Sequence, residues 1–332
     1  MTRLPLGVLP TPLVRADRLR AALGCGPLWL KRDDLTGFGV AGNKVRALEH
    51  LLGDARARGC DVLVTGGGPD SNFVAAAAQA ARVAGLDCEL VVWGDDDALR
   101  ATTNLALARA AGARIRPLGS DERGRVDGEV ERLGGELASR GRRPLAVPRG
   151  GSTPVGATGF ACAAAEVVAQ WVEPRAPVVV IPVGSGGSVA GLLAGLAEVG
   201  WPVLGASVSR PPEEITAKVL ALAGETAALL GTPPPRGEQL TIVDARGPGF
   251  GVASPDDRAA ADLVLRTEGV LLDDTYGAKA AAVAIEHVRH AGPDPGPTLL
   301  WSTGGLVSAL SHVSGFLPYR GDNHSRTTDG AP

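Results

Sequence analysis

The run APVVVIPVGSGGSVAGLLAGL, residues 176–196, constrains the fold more than any other stretch. A short apolar segment rich in valine reads as a buried strand. A glycine turn ends it, and an apolar helix follows at once. The same order recurs along the chain. DVLVTGGG (61–68) precedes the alanine-rich NFVAAAAQAARVAG (72–85), and CELVVWG (88–94) precedes LRATTNLALARAAGA (99–113). PLAVPRGG (144–151) leads into GATGFACAAAEVVAQWV (156–172), PVLGASVS (202–209) follows the central helix, and TLLWSTGG (298–305) reads as the last strand. Such alternation predicts an α/β fold of parallel or mixed sheets flanked by helices. Ligands of such folds sit beyond the carboxyl ends of the strands.

The 332 residues allow about two domains. Aromatic residues make up only 4% and the net charge is −3, so neither stacking platforms nor a basic surface for nucleic acid is evident. Cys25, Cys60, Cys88 and Cys162 show no metal-ligand spacing, and no metal site is expected. Prolines and charges break up MTRLPLGVLPTPLVRADRL, which lacks the apolar core of a signal peptide. A cytoplasmic location is the expectation. The polar tail, 319–332, is expected to be disordered.

Gly184, Ser185, Gly186, Gly187 and Ser188 join the central strand to its helix. Backbone N–H groups at a helix N-terminus attract anions, and glycines let a phosphate come close. A dinucleotide turn and a tight turn with no ligand remain alternatives. The following strand ends ASVSR, with no acidic residue for a ribose, so a monophosphate fits at least as well. Lys44, after Gly42 and Asn43, opens a helix whose Leu48, Leu51, Leu52 and Ala55 form one apolar stripe. The positive end of the helix dipole should lower its amine pKa. A lysine and an anion cradle are together what a phosphorylated aldehyde cofactor requires.

Eight motifs occur in one order: KRDD (31–34), AGNK (41–44), GGPDSN (67–72), GGSTPVGATGF (150–160), GSGGSVAGL (184–192), GPGFG (247–251), LLDDTYGAKA (271–280) and STGG (302–305). In this the chain resembles the fold type II, tryptophan synthase β-like enzymes that use pyridoxal 5'-phosphate. Within them it is most similar to the D-cysteine desulfhydrase and 1-aminocyclopropane-1-carboxylate deaminase branch. The resemblance implies Lys44 as the Schiff-base lysine and Asn72 beside the cofactor's phenolic oxygen. It implies the phosphate on Gly184–Ser188, Thr303 near the pyridine nitrogen, Tyr276 by the ring as an acid/base or stacking group, and Ser71 on the substrate. It further implies a homodimer, a large domain over 1–46 and 157–318, and a small domain over 47–156.

Three polar positions depart from that family's pattern. Asp70 replaces a glutamine, Phe73 a histidine and Ala75 an arginine. An ionised aspartate only accepts hydrogen bonds and repels a substrate carboxylate. Asp70, Ser71 and Phe73 therefore read as an altered substrate pocket, and a cationic substrate group is one way to explain Asp70. Gly277 replaces a glutamate of the deaminase branch, which favours β-elimination from a small amino acid over ring opening. A β-replacement synthase, the deaminase itself and a non-catalytic cofactor-binding homologue are the alternatives. Lys279 is expected on a helix face, the HVRH pair (287–290) on a surface helix, and Lys31 to Asp34 in an ion-pair cluster supporting the Lys44 helix.

Overall fold

The computed structural model describes residues 2–94, 99–100, 102–119, 123–292 and 295–312. The strands are β1 (Leu13–Arg15), β2 (Leu28–Arg32), β3 (Val62–Gly67), β4 (Asp87–Val92), β5 (Arg114–Pro117), β6 (Pro144–Ala146), β7 (Val178–Val183), β8 (Val203–Ser207), β9 (Leu240–Asp244) and β10 (Thr298–Ser302). They form a six-stranded sheet of order β1-β2-β10-β7-β8-β9 and a four-stranded sheet of order β5-β4-β3-β6. Only the β1–β2 pairing is antiparallel. The larger sheet takes strands from both ends of the chain, and the smaller lies wholly within residues 87 to 146 and the β3 run that precedes them. The α/β class read from the alternation is the one observed.

Helices cover the sheets as the apolar patterning requires. The helix Asn72–Val83 buries six alanines with Phe73 and Val74, and small side chains let it lie close to β3 and β4. Residues 102–111 contain a shorter helix than the sequence pattern implied. It runs over Thr103–Ala110, because Thr102 caps it by accepting from the Leu105 N–H. Four strands escaped the sequence pattern. β5 (RIRP) is an exposed edge strand with charged side chains, β9 (LTIVD) is a second edge, and β1 is only three residues long. The fourth, β2 (LWLKR), is central but carries a lysine. The run GDDDALR lies largely outside the described residues, as does the tail 319–332.

That lysine belongs to a buried ionic network that fixes the start of the chain to the centre. Lys31 donates to Glu166 and to the Thr11 carbonyl (2.8 Å). Arg46, fully buried, forks onto Asp33 with two 2.7 Å bonds and reaches Glu166 at 3.0 Å. Trp301 Nε1 donates to the same Asp33 at 2.8 Å. Paired, hydrogen-bonded charges of this kind persist in a core where single ones do not. The network joins β2, β10, the helix Lys44–Ala57 and the helix Pro154–Gln170. It therefore sets the position of the residue that begins the first of those helices, Lys44.

Candidate active site

One cavity of about 300 Å³ opens at the carboxyl ends of β3, β7 and β10. Lys44, Asn72, Phe73, the whole Gly184–Ser188 loop, Tyr276 and Thr303 all line it. Five segments distant in sequence thus meet in one space. Asp70 and Ser71 do not line it. Ser71 Oγ instead caps the helix Asn72–Val83 by accepting from the Val74 N–H at 3.3 Å. Asp70 precedes that cap on a turn, is exposed, and its carbonyl accepts from Asn104 Nδ2 at 2.9 Å. Phe73 is 2% exposed and packs in the core beneath the cavity as well as touching it.

The chain holds four lysines against 29 arginines, and the structure separates their roles. Lys31 is committed to Glu166. Lys279 lies on the helix Gly277–Arg289, as its sequence setting implied, and is wholly buried. Its Nζ donates to the Arg246 carbonyl (2.5 Å) and the Gly249 carbonyl (2.9 Å), tying down the GPGFG turn. Lys218 and Lys44 line the cavity. Lys44 forms no ion pair among the described residues and stands 5.7 Å from the Tyr276 ring centre. Burial pushes its ammonium down to about 8, against the opposing pull of the Asp273 and Asp33 carboxylates. Burial, rather than the helix dipole invoked from sequence, is the leading cause.

Around that amine the other groups are held in defined states. Burial and the nearby Asp273 carboxylate push the Tyr276 phenol up to about 12, so it stays protonated at neutral pH. Asp273 is itself raised to about 6 by burial, while it accepts from the backbone N–H groups of Gly277 (3.0 Å), Tyr276 (3.1 Å) and Thr275 (3.2 Å). It fixes the turn that presents Tyr276. Asn72 Oδ1 accepts from Asn104 Nδ2 at 3.3 Å and Ser308 Oγ at 3.4 Å. With the oxygen so engaged, the NH₂ is the donor left for the cavity.

The loop after β7 is shaped for an anion. Gly186 adopts φ 97°, a conformation that favours glycine, and the helix Gly187–Leu196 begins directly behind it. A side chain on Gly187 would come 2.8 Å from Ser152 Oγ, which donates to Ser185 Oγ at 2.7 Å. Backbone N–H groups, a helix N-terminus and two serine hydroxyls thus surround a space that a Cβ would fill. A phosphate fits there, and an amine more readily deprotonated than an ordinary lysine stands in the same cavity. The residues present therefore suit a phosphorylated aldehyde.

The sequence reading missed part of the wall. Trp93, Arg123, Asp127, Arg149, Ser209, Arg210, Lys218 and Phe250 also line the cavity. Phe250 lies in the GPGFG motif and Arg149 borders GGST; nothing in the local pattern marks Trp93 or Arg123. Among the described residues no group of histidine, cysteine and carboxylate side chains is placed to hold a metal ion. No helix among them is long and apolar enough to cross a membrane.

With fold and site in place, the chain is matched by the family described as Pyridoxal-phosphate dependent enzyme over residues 4–304. It belongs to that family, and its cofactor is pyridoxal phosphate. It is 36% identical over 304 residues to a putative 1-aminocyclopropane-1-carboxylate deaminase of Pyrococcus abyssi, covering 89% of each chain. It is 35% identical over 318 residues to a D-cysteine desulfhydrase of Salmonella typhi, covering 93% of this chain and 96% of that one. A crystal structure of an ACC deaminase homologue superposes with a TM-score of 0.85 at 31% identity, over 93% of each chain. The protein is a pyridoxal-phosphate-dependent enzyme of the deaminase and D-cysteine desulfhydrase group.

Proposed function

We propose that this enzyme is a lyase that removes a β-substituent from a small amino acid, in the manner of a D-cysteine desulfhydrase. The observation that carries this reading is the pairing, in one cavity, of a Lys44 amine lowered to about 8 with a protonated Tyr276 phenol. Elimination needs a base to take the Cα proton and an acid near the departing group. Lys44 serves as the covalent anchor and then as that base, and Tyr276 Oη holds the proton for the leaving group. When bound, pyridoxal phosphate supplies the electron sink that makes a Cα–H bond labile.

Other residues orient and shield. Gly184–Ser188 and the helix behind them take the phosphate, Asn72 directs an N–H donor inward, and Thr303 offers a hydroxyl rather than a carboxylate at its end of the cavity. A neutral partner there is suited to a reaction in which a leaving group departs, and the absence of a side chain at Gly277 agrees with it. Phe73, on the cavity wall, shapes the substrate end, and Ser71, off that wall, caps the helix that carries Asn72 and Phe73. We infer a cytoplasmic homodimer and a small domain over 47–156 from the resemblance alone.

The test is a panel of D- and L-amino acids bearing β-leaving groups, with 1-aminocyclopropane-1-carboxylate included and the oxoacid and ammonia products measured. The wild-type protein is compared with Lys44→Ala, and borohydride-reduced protein is mapped by mass spectrometry. The expected result is release from a β-substituted amino acid, lost in Lys44→Ala, with the reduced adduct on Lys44. Turnover of the cyclopropane alone, or an adduct on Lys218, would overturn the proposal.

A further inference from the structure

Besides Lys44, four cationic side chains line the cavity: Arg123, Arg149, Arg210 and Lys218. Two have their own counter-ions. Arg149 makes a bidentate pair with Asp127, including a 2.9 Å Nη2–Oδ2 contact, and Arg210 reaches Glu214 at 2.9 Å. The remaining two form no ion pair among the described residues, and both stand near enough to Arg149 and Arg210 to feel their charge. Lys218 sits in the helix Pro212–Leu230 beside Val219, whose Cγ2 is 3.0 Å from where a Gly186 side chain would begin. It therefore belongs with the anion cradle. Arg123 stands against aromatic rings. Its guanidinium carbon is 3.9 Å from the Phe250 ring centre and 5.5 Å from that of Trp93. Phe250 in turn meets the Tyr276 ring edge-on at 6.1 Å, and Tyr276 faces Lys44.

Arg123 thus stands on the side of the cavity that leads through Phe250 and Tyr276 to Lys44, and it contacts the faces of two aromatic rings. No carboxylate pairs with it among the described residues, and its buried Nε has no hydrogen-bond partner. An arginine stacked in this way keeps its charge and presents its N–H fork edgewise, the geometry that suits an oxyanion. An unpaired cation facing a cavity is costly without a ligand that completes it. The only acidic replacement noted from sequence, Asp70, is exposed and off the wall. The electrostatics of this side therefore favour an anion.

We propose that Arg123 binds a second anionic group on the substrate, so that the substrate is an amino acid whose side chain ends in a carboxylate or a phosphate ester. This rests on the lyase reading of the same cavity and narrows its substrate class. It replaces the cationic group considered on the strength of Asp70.

The test measures binding to the holoenzyme through the change each ligand causes in the visible absorbance of the bound cofactor. Matched pairs are compared in both stereochemical series: aspartate with asparagine, and O-phosphoserine with serine. The expected result is a preference for the acidic member of at least one pair by tenfold or more, about 1.4 kcal/mol. Which pair shows it separates carboxylate from phosphate. That ratio should fall to within about threefold of unity in Arg123→Met and Arg123→Gln and be largely kept in Arg123→Lys, whereas a purely structural arginine would leave the ratio unmoved. Equal response to both members, no response to any of them, or a ratio that survives in both neutral variants overturns the proposal. The two variants guard against one that does not fold. A protein with a normal cofactor band on Lys44 but a flat ratio loses only this inference; a protein with no such band loses the lyase reading itself.

Discussion

The state of Lys44 in the cofactor-free protein gives a quantity that can be measured without assuming any substrate. Enclosure lowers its ammonium from the ordinary 10.5 to about 8. Because the folded-state value lies below the ordinary one, the neutral amine predominates above about pH 8 and falls tenfold per unit below it. At pH 7 roughly one amine in ten is neutral, against about one in 3,000 for an ordinary lysine, a ratio near 300. The assay is competitive labelling of the apoprotein with fluorodinitrobenzene, with Nα-acetyllysine as the reference in solution. The Lys44 peptide is quantified by mass spectrometry from pH 6 to pH 11. Restricted access lowers the rate at every pH alike, so the midpoint of the profile is the diagnostic. Labelling of Lys44 should level off near pH 8, while the reference keeps rising to about pH 10. Asp273→Asn removes a carboxylate that favours the ammonium and should move the midpoint lower still. A Lys44 midpoint at or above 10 would refute the claim that enclosure lowers this amine's pKa.

Three further outcomes follow from the same geometry. Gly186→Asp places a charged side chain on a φ of 97° at the anion cradle and should weaken pyridoxal-phosphate retention at least tenfold, measured by dialysis and absorbance. Arg46→Leu leaves Asp33 buried without its guanidinium and should cost about 3–5 kcal/mol in urea unfolding; a loss under about 1 kcal/mol would mean that the network is not structural. Asp70→Gln should change kcat/KM for neutral amino acids by less than about threefold, since an exposed charge is screened by water; a tenfold rise would put the Asp70 charge back against the substrate.

What could be read from the sequence, and what could not, divides along physical lines. β7 and its glycine loop were legible because burial, turn and helix start are all local in sequence. Lys44 was legible only through combination: one lysine at a helix start is common, but a lysine and an anion cradle together define a chemistry. β5 and β9 were missed because edge strands tolerate charge on both sides and so lose the apolar signal. Arg123 and Trp93 were missed for a different reason. Each is an ordinary residue in its own neighbourhood, and their significance arises only where the chain brings them against Phe250.

Asp70 shows how a correct residue comparison can yield a misdirected side chain. The substitution itself is real, and two like charges would indeed repel at close range. Direction, however, is decided by the turn. Ser71 uses its hydroxyl to satisfy the Val74 N–H, which makes it the residue just outside the helix Asn72–Val83. Asp70 then lies one step further out, where the backbone has left the helix axis. Asn104 holds its carbonyl, and the residue is exposed and off the cavity wall. Meanwhile Gly68 on the same segment leaves room for Trp93, whose Cζ2 would stand 2.5 Å from a Cβ at that position. Trp93 is one of the two rings that hold Arg123. The GGPDSN segment therefore influences the charge of the substrate end chiefly through the side chain it lacks at Gly68, and only weakly through the carboxylate it carries at Asp70.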